Sequence, residues 1–209
     1  MRSGEEIVKK LRQDLDPERF RHTLAVAGCA VELALYHGED PVRAGLAGLL
    51  HDCAKCMPKP RLKALFDHYG VAWEPIFDTQ PGLCHPFLGA QVARQDYGVS
   101  DEGVLSAIRY HTTGRPAMTR LEQIIYIADY IEPGREAHEA LEQARKLART
   151  DLDAAMTWIL ADTIAYVKLR GLAVHPLSQE AYAYYQKKED CHDGNDLGSG
   201  NHREGSTGR

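Results

Sequence analysis

The sequence predicts an all-α fold, organised as a single helical domain. Three observations carry this prediction. Apolar residues recur at spacings of three and four along most of the chain, and cap signals open successive stretches. No run alternates apolar and polar residues as a half-buried strand would. At 209 residues the chain is long enough for one well-buried core.

The elements follow in order. Asp16-Pro17 reads as an N-cap followed by proline at the first helical position. Phe20, Leu24, Ala27, Val31 and Leu35 then trace one apolar face of a long helix. Asp40-Pro41 repeats the signature, with Val42, Leu46, Leu49 and Cys53 as the next stripe. Two prolines between Met57 and Pro60 break that helix. A short helix is expected over 61–70. The segment 71–85, with Trp73, Pro75, Pro81 and Gly82, reads as a loop with aromatic anchors. A helix follows Pro86, and Ser100 before Asp101-Glu102 suits the start of another. Thr119 caps a helix carrying Leu121, Ile124, Ile125 and Ala128, which Pro133-Gly134 stops. Helices are expected over 136–148 and 151–170, with Gly171 as terminator, and a last one from Ser178. The helical domain therefore spans 1–187. Residues 188–209 offer almost nothing apolar to bury and read as a disordered polar tail.

Composition narrows the partners. The formal net charge of -5 argues against a broad surface for a nucleic-acid polymer or an anionic membrane. No apolar run approaches the roughly 20 residues that a membrane helix requires. The segment MRSGEEIVKKLRQDL has no signal-like apolar core. Five cysteines, an odd and scattered number, fit reduced thiols, so a cytoplasmic setting is expected. Cys53 and Cys56 have redox spacing but no βαβ context, and read as coincidence. Tyr182, Tyr184 and Tyr185 read as packing of the last helix. A homodimer through an apolar helix face is left open.

Chemistry concentrates on histidines and aspartates. His51-Asp52 stands near the end of an apolar helix, where imidazole nitrogen and carboxylate oxygen form a mixed donor set for iron, manganese, zinc or a similar ion. Alone, the dipeptide reads more readily as a solvated pair at a helix end. His22 lies on the preceding helix, and Asp129 follows Ile125 by four residues near an apolar face. A carboxylate there is costly unless a cation or hydrogen bonds compensate it. His111 lies on an apolar stripe with Ile108 and Val104, and His85 precedes Pro86 at a helix start. Each residue singly has a bland reading as a cap or a hydrogen-bonded core group. Together, four helices offer His or Asp from their inner faces, the way bundles assemble metal sites.

The order His22, His51-Asp52, His85, His111, Asp129 resembles the HD superfamily of metal-dependent phosphohydrolases, most closely its YqeK family of symmetrical diadenosine tetraphosphate hydrolases. The motifs are RFRHTLAVA at 19–27, LLHDCAK at 49–55, HPFLGA at 85–90, RYHTTGR at 109–115 and IIYIADYIEPGR at 124–135. The resemblance implies an HD-domain helical bundle. It implies that His22, His51, Asp52 and Asp129 hold iron, with manganese, cobalt or another divalent metal as alternatives. Lys55 would contact phosphate, and His85 and His111 would face the phosphates or complete a second metal site. Arg19, Thr112 and Arg135 would contact nucleotide, and Leu172, Ala173, Val174, His175, Pro176 and Leu177 would lie near its base. Asp52, Lys55, His85 and His111 would carry catalysis, with His85 or His111 protonating the leaving group. The implied reaction uses metal-activated water on a dinucleoside polyphosphate and releases ADP.

Two alternatives are weighed. Another nucleotidase or phosphodiesterase of the same superfamily would keep the site and change the substrate. Cyclic-dinucleotide phosphodiesterases carry Gly-Tyr-Pro after a histidine, whereas Thr112-Thr113-Gly114 follows His111 here. A non-catalytic nucleotide-binding module is the other, and would be expected to have lost ligands.

Overall fold

Backbone amides at a helix start lack intrahelical partners, and this chain supplies side-chain acceptors for them. In the computed structural model, which describes residues 2–196, helix α1 (Gly4–Asp14) opens on a capping box between Ser3 and Glu6. Helices α2 (Pro17–His37) and α3 (Pro41–Leu50) start as expected, on Asp16 and Asp40 with proline in the first turn. Then follow α4 (Lys59–Tyr69), the one-turn α5 (Ile76–Thr79), a 3-10 turn (Pro81–Leu83) and α6 (Cys84–Asp96). Helix α7 (Glu102–Tyr110) is capped by Asp101, one residue later than Ser100. Helix α8 (Arg120–Ile131) begins with a capping box of Thr119 and Glu122. Helices α9 (Glu139–Thr150), α10 (Leu152–Leu169) and α11 (Pro176–Asp196) complete the described residues. No strand occurs among them. The fold is all-α, as the sequence predicts.

Helix α8 is the axis of the molecule. Leu121 to Ala128 are all buried, so this helix has no solvent face. Helices α2, α3, α7, α9 and α10 pack around it, and α6 pairs with α7. The buried Glu122 within α8 is neutralised by Arg115, whose Nη2 lies 2.7 Å away, and it accepts from Ser106 as well. Arg115 also donates to the carbonyls of Pro116 and Ala117. The arginine of the HTTGR segment thus holds the α7–α8 turn.

Two expected stripes are rotated. On α2 the buried residues are Phe20, Thr23, Val26, Ala27, Ala30, Leu33 and Ala34, while Leu24 and Leu35 lie exposed. On α3 they are Ala44, Ala47, Gly48 and Leu50, and Val42 is 77% exposed. The reason is a close helix crossing. A Cβ built on Gly48 would stand 2.8 Å from the Ala27 Cα, so only small residues fit between α2 and α3. Leu24, Leu35 and Val42, large aliphatic residues that suggested the stripes, are turned outward, while Leu46 and Leu49 pack at the margin of the core.

The C-terminal region also differs. Gly171, at φ +67°, ends α10 as expected. Helix α11 starts at Pro176, earlier than Ser178, because His175 Nδ1 accepts from Leu177 N at 3.2 Å. It continues past residue 188 to Asp196, so the expected tail is helical over 188–196, where extension costs little once a helix is nucleated. Residues 197–209 of that tail lie outside the described residues. Of the tyrosine trio, Tyr185 packs as expected: it is buried, and its hydroxyl accepts from Met118 N at 3.1 Å.

Candidate metal centre

The end of α3 sets the site. Leu50 is the last helical residue, and His51 and Asp52 lie on the turn that follows, both buried. Helix α2 brings His22, the first turn of α6 brings His85, the end of α7 brings His111, and the end of α8 brings Asp129. His85, whose plain alternative reading was a helix cap, is buried in the first turn of its helix.

Hydrogen bonding orients the imidazoles. Nδ1 of His51, His85 and His111 lies 2.7, 2.6 and 2.7 Å from the carbonyls of Gly48, Gly82 and Ile108. A carbonyl only accepts, so each Nδ1 carries the hydrogen and a neutral ring turns an Nε2 lone pair inward. His22 follows the same logic, with Nδ1 3.2 Å from the buried Glu132 carboxylate.

The inward atoms crowd one another. Nε2 of His22 stands 3.3 Å from Nε2 of His51, and Nε2 of His85 stands 3.0 Å from Nε2 of His111. Asp129 Oδ1 is 3.0 Å from His22, and Asp52 Oδ1 is 3.0 Å from His85 and 3.6 Å from His111. Asp52 Oδ1 is buried without a hydrogen-bond partner. So many lone pairs at such distances repel unless a cation lies among them. Donor atoms of His22, His51 and Asp129 fall within 4.8 Å of one another, as do those of His51, Asp52 and His111. The residues fit a divalent metal: nitrogen and oxygen donors, buried except for the half-buried His22 and Asp129, each histidine with its outer nitrogen anchored.

Electrostatics agree. Burial alone would push Asp52 up, but the imidazoles of His51, His111 and His85 around it outweigh that, and the carboxyl sits well below its ordinary value. Asp129 is likewise held down by His22, His51 and His111 against its burial. His51 is pulled down by burial, yet Asp52 and Asp129 raise it above the ordinary histidine value. His85 is pushed down to about 4, chiefly by burial, and His111 is lowered for the same reason. Both are therefore neutral near pH 7 with Nε2 as acceptor.

Cations border the cluster. Arg19 Nη1 lies 2.9 Å from Asp52 Oδ2, and Lys55 Nζ donates to His85 Nε2 at 3.2 Å. Arg135 Nη2 is 2.9 Å from Asp129 Oδ1. Thr112 Oγ1 is 3.4 Å from His85 Nε2. The segment 172–177 reaches this group through its flank, since Ser178 Oγ donates to Thr113 O at 2.8 Å. Its other side meets the 71–83 loop, where Gln80 donates to Ala173 O and His175 Nε2 lies 3.1 Å from Glu74.

The HD-domain family model matches residues 19–134, which contain every metal-ligand candidate. The symmetrical bis(5'-nucleosyl)-tetraphosphatase of Bacillus subtilis is 40% identical over 172 residues, 82% of this chain and 91% of that protein. The protein of the same name from Staphylococcus aureus is 32% identical over 188 residues, 88% of this chain and 96% of its own. The chain belongs to the HD-domain family, in its symmetrical tetraphosphatase branch. A crystal structure of an HD superfamily hydrolase from Clostridium acetobutylicum, described as involved in NAD metabolism, superposes with a TM-score of 0.86. It is 39% identical and covers 90% of this chain and 99% of that one.

One residue of this HD-domain protein escaped the sequence reading. Glu132, buried at the end of α8, fixes the His22 ring and also accepts from Gly134 N. Arg145 of α9 donates to its carbonyl at 3.2 Å, which ties the position to the bundle. Its signal was present: Glu132 follows Asp129 by three residues, so a helical path puts both on one face.

Proposed function

We propose that the protein hydrolyses diadenosine tetraphosphate at its centre and releases two ADP. The cluster of four histidines and two aspartates, bordered by Arg19, Lys55 and Arg135, carries this reading. The 40% identity to a symmetrical tetraphosphatase supports the substrate.

His22, His51, Asp52 and Asp129 would hold the metal. Iron is the metal the resemblance implies, and manganese or cobalt suits the same nitrogen and oxygen donors. When bound, a divalent metal polarises a phosphoryl oxygen and lowers the pKa of water towards neutrality. His85, His111 and the unpartnered Asp52 Oδ1 form an adjoining donor group, which supports room for a second ion.

The remaining steps belong to the chain. Asp52 accepts a hydrogen bond from the attacking water and aims it at one of the two central phosphorus atoms. The new P–O bond forms as the central bridging P–O bond breaks, and one water is consumed for two ADP. Arg19, Lys55 and Arg135 offset the charge that shifts onto the phosphate oxygens. Lys55 Nζ, close to His85, donates to the leaving phosphate. Thr112 and the 172–177 segment bind one nucleoside.

Product analysis tests the reading. Protein purified without oxygen and supplied with iron or manganese is expected to convert diadenosine tetraphosphate to ADP alone. Intact substrate, or AMP with ATP, overturns it.

A further inference from the structure

A central cut leaves a nucleoside diphosphate on each side of the reacting phosphorus. The chain therefore needs a binding place on both sides of the metal cluster. Thr112 and the 172–177 segment serve one side in the reading above. On the α2 side, a cavity of about 480 Å³ opens between α2 and the Glu132–Arg135 turn.

Its walls suit a phosphate chain followed by a sugar. Glu18, His22 and Ala25 recur on α2 at spacings of four and three, so they share one face, with Arg21 beside it. His22, at the inner end, is a cluster residue. Arg19 and Arg135 also line the cavity, and they contact Asp52 and Asp129 respectively. A polyphosphate leaving the metal cluster on this side would pass between these two arginines. Further out stand Arg21 and Glu18, both exposed, and neither side chain has an ion pair among the described residues. The small side chain of Ala25 leaves space in the floor. Glu132, the other carboxylate of the wall, is engaged by His22 and Gly134. Arg19 faces Asp52 and Arg135 faces Asp129 and Glu132, so Arg21 is the arginine of this wall without an ion pair among the described residues and suits an anion, while Glu18, likewise without one, suits hydroxyl donors.

We infer that this cavity is the subsite for the second nucleoside diphosphate of the substrate. Arg21 binds its outer phosphate, and Glu18 accepts hydrogen bonds from its ribose hydroxyls. The inference rests on the reading that the substrate is a dinucleoside tetraphosphate. It assigns a substrate contact to two residues outside the set expected from the sequence.

The test compares the metal-loaded wild type with Arg21→Gln and Glu18→Gln, on diadenosine tetraphosphate and on adenosine 5'-tetraphosphate. The second compound keeps four phosphates and lacks the second nucleoside. Arg21→Gln is expected to raise KM about tenfold on both, the loss of one charge-assisted hydrogen bond. Glu18→Gln is expected to raise KM about fivefold on the dinucleotide alone. In both variants kcat stays within about twofold, because a contact made equally before and during reaction changes KM only. An active wild type whose two variants keep its KM on the dinucleotide overturns the subsite and leaves the reaction standing. So does a Glu18→Gln loss that is equal on both substrates and falls on kcat. A wild type inert towards the dinucleotide removes the reaction and the subsite together.

Discussion

Glu132 shows at the scale of one residue how a side chain outside the ligand candidates shapes the centre. Its carboxylate holds the His22 Nδ1 hydrogen outward, so the other ring nitrogen is a lone pair towards Asp129 and His51. Outer partners of this kind are worth roughly 10–100-fold in metal affinity. Glu132→Gln should lower affinity by that order in a chelator-competition titration, with the fold intact by circular dichroism. The histidines also set a pH response in metal-free protein. His51 is raised in the folded state, so its contribution is complete below the unfolded value of about 6.5 and is lost as pH rises through the folded value. His85 is depressed to about 4, so the unfolded chain takes up its proton first, and stability falls as pH drops from about 6.5 towards 4. Thermal unfolding of chelated protein should therefore be most resistant near pH 6–7. His85→Gln should flatten the acid side of that profile. An unchanged acid limb would locate the effect elsewhere.

At the scale of elements, the α2–α3 crossing decides whether His22 and His51 meet. Gly48 serves twice, as the close contact with Ala27 and as the carbonyl that orients His51. Gly48→Ala should cost about 1–3 kcal/mol by overpacking. The two helices should separate, and metal affinity should drop along with the melting temperature. Retained affinity in a destabilised variant would show that the crossing does not set the site. The α7–α8 turn carries a different kind of tension. Arg115 neutralises Glu122 at the buried start of α8. Arg115→Ala leaves a buried carboxylate uncompensated, at a cost of roughly 3–5 kcal/mol. Adding Glu122→Leu should recover much of that loss in a double-mutant cycle, because the unpaired charge is then gone.

For the whole molecule, the centre would work as a staple once it holds a metal. Its donors come from α2, the turn after α3, α6, α7 and α8, which are far apart in sequence. A ligand that binds only the folded state stabilises it by about 2.7 kcal/mol at a hundredfold excess over Kd. For a domain of this size that corresponds to roughly 5–10 °C. Removing the metal with a chelator should lower the melting temperature by that amount, and restoring it should reverse the change. No shift would mean that the cluster holds no ion in the folded protein.

Much of this was legible in the linear order of residues, and the boundary has a physical cause. The helices and their starts follow from local chemistry: Asp16, Asp40 and Thr119 cap where their oxygens can reach the first amides, and Gly171 ends α10 with a positive φ. The ligand candidates were recognisable too, since His and Asp on inner helical faces are costly without a partner. What local chemistry does not contain is which face turns inward. Large aliphatic residues pointed to Leu24, Leu35 and Val42, but the α2–α3 crossing turns these outward and buries Gly48 against Ala27, a small member of the expected stripe, because backbone proximity there excludes anything larger. The partner of His22 and the neutral state of His85 were likewise settled only by packing. They depend on Glu132 and on burial, and both arise when distant segments close around the same few ångströms.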